Sequence, residues 1–238
     1  MKLGAVVALV ATAPEHADLV EETREALAGQ TVAPIAVVVQ PPSTAPARSA
    51  PAEQPEWLWL LDGVTVPRAD ALEAFGAALE TLAGLPAPLL LASKVIDAAG
   101  AMHPDALPRH EIFEKQYTVD AIERGLVQLR AVPAGSLLIR RGTFERFGEL
   151  RADLPPSWAV FEFTARALRS WEDTGYLVPS SVAVRKLPPH PAGRRGEGLR
   201  TRARLLAGPA WTPTERLWEG FLVAEAAVRA ARGPARRA

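Results

Sequence analysis

Residues 56–67 read Glu-Trp-Leu-Trp-Leu-Leu-Asp-Gly-Val-Thr-Val-Pro, and the fold follows from how this stretch is built. Trp57 to Leu61 is apolar at successive positions, so both faces of the strand predicted over Glu56 to Leu61 are covered, as in a parallel sheet flanked by helices. The run stops at Asp62-Gly63. In open α/β sheets ligands collect beyond the carboxyl ends of the strands, which makes an acid at that point a candidate ligand contact. The same Asp before a glycine also suits the first position of an Asx turn.

Working outward, Leu3 to Ala11 is a second strand apolar on both faces. The helix after it carries Leu19, Val20, Thr23, Ala26 and Leu27 on one side and Glu21, Glu22, Arg24 and Glu25 on the other, and ends at Gly29. Pro34 to Val39 is a third strand. The chain therefore opens as β-α-β, which asks for parallel pairing and a right-handed crossover. Gln40 to Pro55 holds five prolines and is a loop. After Pro67, Leu72, Phe75, Leu79 and Leu82 mark a helix face.

Further on, Leu89 to Ala92 and Lys94 to Ile96 are short strands, with Asp97-Ala-Ala-Gly100 turning the chain toward Met102-His103. Thr118 to Arg124 is a short helix, and Val127 to Val132 and Gly135 to Ile139 are strands. Thr143 to Phe147 is a helical turn stopped by Gly148. A helix from Phe161 to Trp171 precedes a strand from Tyr176 to Val184. Thr212-Pro-Thr-Glu215 has the hydroxyl, proline and glutamate of a capping box and opens a helix to Arg232.

Composition narrows the function. With 48% hydrophobic and 23% charged residues in 238, the chain has the make-up of one globular domain with an extension. The absence of cysteine excludes disulfides and cysteinyl zinc. The apolar start, Leu3 to Ala13, resembles a signal-peptide core, but its valines and Pro14 fit a buried strand, giving a cytoplasmic expectation. The net charge of zero hides an asymmetry: residues 1–184 carry 15 Lys/Arg against 23 Asp/Glu, and residues 185–238 carry 12 against 4. A basic tail of this kind binds membrane surfaces, nucleic acid or an acidic partner, or neutralises its own domain. Nucleic acid is disfavoured by the lack of interleaved aromatics, and no P-loop, G-x-G-x-x-G or G-x-S-x-G is present.

The order of these pieces resembles the family 2 glycosyltransferases of bacteria. Leu61 to Pro67 (LDGVTVP) stands where that family has a strand ending in several aspartates. Ser93 to His103 (SKVIDAAGAMH) is similar to its Asp-x-x-Gly hairpin. Val132 to Leu150 (VPAGSLLIRRGTFERFGEL) is similar to its acceptor-side stretch, and Phe161 to Lys186 to its post-catalytic helix and late strand. The resemblance implies a GT-A-like three-layer α/β sandwich over residues 1–186, with a mostly parallel sheet, and a basic helical extension over 187–238. It implies transfer of a sugar from a nucleotide-sugar donor to a cell-surface glycan or lipid-linked acceptor. The residues it points to are Thr12, Asp62, Gly63 and Arg185 for the donor, Gly135 and Ser136 for the acceptor side, and Glu162 as the catalytic base.

The departures are equally specific. Gly63 and Val64 replace family acids, so Asp62 alone is at most a weak Mg²⁺ or Mn²⁺ ligand, and no cofactor is firmly implied. Gln40 to Ser43 replaces an Asp-rich turn. Of the acidic cluster that supplies the base, aligned to Ala159-Val160-Phe161-Glu162, only Glu162 survives, and as a residue near a helix start it equally suits the macrodipole. Glu172-Asp173, His103 and His110 are secondary candidates. Arg185 stands at a late-strand histidine of the family; it or Lys186 either supplies the charge a metal would or is a surface residue at a strand end. Two classes therefore stay open: an active transferase, and a GT-A-like binding module that lost catalysis. For the tail, the alternatives are packing on its own domain and peripheral contact of residues 212–237 with the inner face of a membrane.

Overall fold

The computed structural model describes residues 1–41, 46, 55–108, 122–123, 125–170, 172–188, 201, 203–217, 220 and 224. The elements are β1 (Val6–Ala11), a 3₁₀ turn (Pro14–His16), α1 (Ala17–Ala28), β2 (Ala36–Gln40), β3 (Trp57–Asp62), β4 (Thr65–Pro67) and α2 (Ala71–Thr81). There follow β5 (Leu90–Ile96), a 3₁₀ turn (Pro104–Ala106), β6 (Val127–Gln128), β7 (Ser136–Arg140), α3 (Arg141–Phe147), α4 (Pro156–Ala167) and β8 (Gly175–Arg185).

The strands form one sheet in the order β2-β1-β3-β7-β5-β8-β4, with β6 on β8. β2, β1 and β3 are adjacent and parallel, so the opening β-α-β unit is laid out as its hydrophobic pattern dictates. β7 runs antiparallel between β3 and β5, β8 is parallel to β5, and β4 and β6 pair antiparallel with β8. The two short strands expected at 89–96 are one strand, β5. Its ladder with β8 jumps from Ser93↔Val178 to Lys94↔Val182, so β8 carries the irregularity. The strand expected at 127–132 is only the two-residue β6.

Alternation sorts the side chains into two layers. Val6, Ala8, Val10, Trp57, Trp59 and Leu61 face α2, where Trp59 meets Phe75 edge-on at 6.2 Å. Val7, Leu9, Leu58, Leu137 and Ile139 face α3 and α4, where Phe144 stacks on Phe163 at 4.7 Å. At roughly 1.5–3 kcal/mol for each fully buried large apolar side chain, these layers are the main stabilising term. Asp97 closes its turn by accepting from the Ala99 and Ala101 amides, each at 2.9 Å, with Gly100 at φ 86°.

A third apolar cluster joins the C-terminal segment to α4: Leu205, Ala210 and Trp211 pack on Leu154, Phe161 and Ala165. Arg130 ties the same segment down, donating to the carbonyls of Ala165 and Ala210 and pairing with Glu215 at 3.2 Å. The capping box forms, with the Thr212 amide on Glu215 at 2.6 Å and the Glu215 amide on Thr212 Oγ1 at 3.3 Å. Residues 213–217, 220 and 224 are helical. Phe221, Val228 and the arginines beyond lie outside the described residues, as do His110 and most of the expected 118–124 helix. No helix among the described residues is long and apolar enough to cross a membrane.

Candidate functional site

The strand ends of β1, β2 and β3 and the first turns of α4 enclose a cleft of about 440 Å³. Most of its lining is apolar, including Leu9, Leu60, Leu137, Leu150 and Val160, and its polar side chains are few: Thr12, His16, Gln40, Asp62, Ser157 and Arg185. Asp62 is the last residue of β3, aligned with Ala11 of β1, and its amide donates to the Gly135 carbonyl at 3.1 Å. Beyond it the chain turns at Gly63-Val64 into β4, and Thr65 pairs with Arg185 across the β4–β8 ladder. That return brings an aspartate and an arginine 123 positions apart into an ion pair, Arg185 Nη1 to Asp62 Oδ2 at 2.7 Å.

The pair is incompletely satisfied. Asp62 Oδ1 and Arg185 Nε are buried and make no well-aligned hydrogen bond among the described residues, while the Thr65 hydroxyl and the Val64 amide beside the carboxylate help hold its charge. Burial pushes the Asp62 carboxyl above its ordinary value, and the Arg185 charge pulls in the opposite direction. Gln40 repeats the theme at the end of β2: it is 7% exposed, and its Oε1 also lacks a partner. Buried polar atoms are nearly always hydrogen-bonded in folded proteins; three exceptions line this cleft, where a polar ligand would satisfy them, and others, such as Trp57 Nε1 and Thr174 Oγ1, lie elsewhere in the fold.

Gly63 has a steric reason. A Cβ there would lie 2.6 Å from Thr12 Cβ and 2.7 Å from Thr12 Oγ1, and the Gly63 amide donates to the Ala11 carbonyl at 2.7 Å. Thr12 fills the space a second carboxylate would need. Among the described residues no three His, Asp or Glu side chains gather into a cluster. Asp62 is moreover already paired with a cation. The donor set therefore does not fit a resident divalent ion.

The remaining candidates are placed as follows. Gly135 lines the cleft; Ser136, one residue on, points through the opposite face of the sheet. There it accepts from the Trp59 indole at 3.0 Å and joins Ser93 at 2.7 Å, which joins Ser181 at 2.9 Å, a buried hydroxyl chain outside the cleft lining. Glu162 also departs from expectation. The helix begins at Pro156, five residues before Phe161, so Pro156, Ser157 and Val160 face the cleft while Glu162 is turned away at 0% exposure. Its carboxylate is held by Arg166 at 3.1 Å on each oxygen. Asp173 is bound by Arg146 at 2.6 Å. His103 is fully buried: its Nδ1 accepts from the Asp105 amide at 3.3 Å, so Nε2 donates to the Leu187 carbonyl at 3.1 Å. Lys186 pairs with Glu22. His16 and the side chain of Gln40 carried no marker in the sequence beyond standing just after a strand or at its last residue.

This strand order and strand-end cleft define the GT-A fold. No protein-family model matches the chain, and no curated protein matches its sequence. Solved structures do match. Mannosyltransferase PcManGT from Pyrobaculum calidifontis, in complex with GDP-Man and Mn²⁺, is similar over 98% of this chain and 76% of that one, at a TM-score of 0.53 and 14% identity. S. aureus TarS 1–349 in complex with UDP is similar over 96% and 71%, at 0.57 and 10%. GalNAc-T7 with UDP, GalNAc and Mn²⁺ is similar over 81% and 46%, at 0.54 and 11%. At these identities the likeness establishes the fold.

Proposed function

We propose that the cleft binds a nucleotide-sugar donor and that the chain transfers the sugar to a glycan or lipid-linked acceptor, with Arg185 supplying the positive charge beside the diphosphate. The observation that carries this reading is the Asp62–Arg185 pair, set at the strand ends with one atom of each partner unsatisfied. A guanidinium offers five donors in a fixed fork that suits phosphate oxygens, and one held in a mostly apolar cleft stabilises departing negative charge without reorganising. The N-terminus of α4 opens on the same cleft and adds the positive end of its dipole. Thr12, beside Gly63, and Gln40, at the end of β2, line the same cleft and would hydrogen-bond the nucleoside.

A second reading, a nucleotide-sugar-binding module without turnover, is favoured by one observation: the α4 face toward the cleft presents Pro156, Ser157 and Val160 and no carboxylate. An inverting transfer needs a correctly placed base. One experiment separates the two. UDP-, GDP- and dTDP-sugars are screened by thermal shift with EDTA and with Mn²⁺, and the stabilising donor is then followed for nucleoside diphosphate release over glycan and lipid-linked acceptors. A metal-independent shift with release supports the transferase; a shift without release supports the module; no shift with any donor ends both. Contact of residues 212–237 with a membrane belongs to the lipid-linked version and is checked by co-sedimentation of the full chain with anionic and neutral liposomes.

A further inference from the structure

A second cavity, of about 530 Å³, opens beside the first and shares Ala134, Ser157, Arg185 and Leu187 with it. One wall is aromatic. Trp158, half-buried, and Phe161 both line it, with ring centroids 5.8 Å apart and planes at 79°. Phe161 is backed by Trp211 of the C-terminal segment at 6.4 Å. Trp211 is 3% exposed, its indole donating to the Leu205 carbonyl at 2.8 Å. Asp105, in the 3₁₀ turn that His103 anchors to Leu187, also lines the cavity.

We infer that this cavity is a carbohydrate-binding subsite whose aromatic wall is set in place by Trp211. A pyranose ring has a face of C–H groups, electropositive at their edges, which matches the negative face of an indole, and it carries hydroxyls around its rim. An aromatic wall with a carboxylate, a hydroxyl and a guanidinium around it answers both features. A polyanion would meet the Asp105 carboxylate on the wall. The inference rests on the donor reading of the first cleft: because Arg185 lines both spaces, a sugar held here lies next to whatever that cleft binds, as an acceptor must.

The test is saturation-transfer NMR on the full chain with five soluble disaccharides: maltose, cellobiose, lactose, N,N′-diacetylchitobiose and α-mannobiose. Saturation is expected on the ring protons of at least one sugar. The affinity should fall about tenfold or more in Trp158→Ala, as for truncation of a central aromatic anchor, and less in Trp158→Phe. Trp211→Leu should weaken binding while Trp211→Phe restores most of it, with far-UV circular dichroism and a cooperative melt checking the fold of each variant. No transfer to any of the five sugars, or equal transfer in wild type and Trp158→Ala, overturns the subsite. Thermal shifts with UDP and GDP on the same wild-type sample keep the two ideas apart: nucleotide shifts without sugar binding sink only the subsite, whereas sugar binding without a nucleotide shift sinks the donor reading.

Discussion

Two acid–arginine pairs flank the cleft and behave oppositely. Glu162 and Arg166, one turn apart on α4, are sealed in: the acid is 0% exposed, both its oxygens are occupied, and Arg166 also donates to the Glu149 carbonyl at 3.0 Å. Asp62 and Arg185, brought together from two strands, keep 20% and 16% side-chain exposure and leave one buried atom each unsatisfied. The first pair has nothing left to offer a ligand and holds the scaffold. The second has spent only part of its bonding capacity. Satisfaction, more than residue type or alignment to an acidic motif, distinguishes the two pairs.

The comparison is broken most forcefully at Glu162. Removing one partner of a buried pair leaves an uncompensated charge, so Glu162→Ala should cost about 3–5 kcal/mol. For a chain of this size that lowers the melting temperature by about 10 °C. Denaturant unfolding measures it; a variant as stable as wild type but inactive in turnover would return Glu162 to a catalytic role. A third pair, Arg130–Glu215, has 14% and 13% exposure, and Arg130 keeps two carbonyl partners when the acid is lost. Glu215→Ala should therefore cost less, about 1.5–3 kcal/mol, and should loosen the C-terminal segment in hydrogen exchange.

For Asp62 the sharper readout is pH. Its folded-state pKa is raised above the ordinary 3.8, chiefly by burial against the opposing charge of Arg185. The stability contributed by its protonated form is fully present below 3.8 and is lost as pH rises through the folded value. Relative to Asp62→Asn, the wild type should thus lose melting temperature as pH climbs from about 3.8, then level off. A difference that instead grows in favour of the wild type would mean the Arg185 attraction outweighs burial. At the small end, Arg24→Ala on α1, whose partner Glu21 is 65% exposed, should change stability by no more than about 0.5 kcal/mol. A larger effect would undo the link between exposure and strength on which the comparison depends.

The legible parts of the fold are those with a local cause. The β1-β2-β3 layout follows from two-sided apolar runs joined by an amphipathic helix, and Asp62 was visible because a strand ends there before a glycine. The start of α4 was misjudged because its apolar pattern becomes obvious only at Phe161, whereas the proline at position 156, a favoured first helical residue, already opens it. Glu162 is a separate case: it is picked out by its alignment to an acidic cluster, and on α4 the cleft side carries Val160 while Glu162 lies on the opposite side. Ser136, expected on the acceptor side with Gly135, lies on the other face because side chains alternate along a strand: with Gly135 on the cleft side, the next residue points through the sheet. The Asp62–Arg185 contact, the three unsatisfied atoms and the Trp158–Phe161–Trp211 ladder arise from pairings far apart in sequence, which no local pattern encodes.

Arg185 belongs to the walls of both cavities, and this has a thermodynamic consequence. A ligand in the first space that draws the guanidinium away from Asp62 alters the surface offered to a ligand in the second, so the two occupancies are energetically coupled through one side chain. Linkage makes that coupling reciprocal: whatever factor a ligand of the first space applies to affinity in the second, the second ligand applies to the first. Order of addition then leaves no trace at equilibrium, and the sign of any cooperativity between ligands of the two spaces would report which way the first of them moves Arg185.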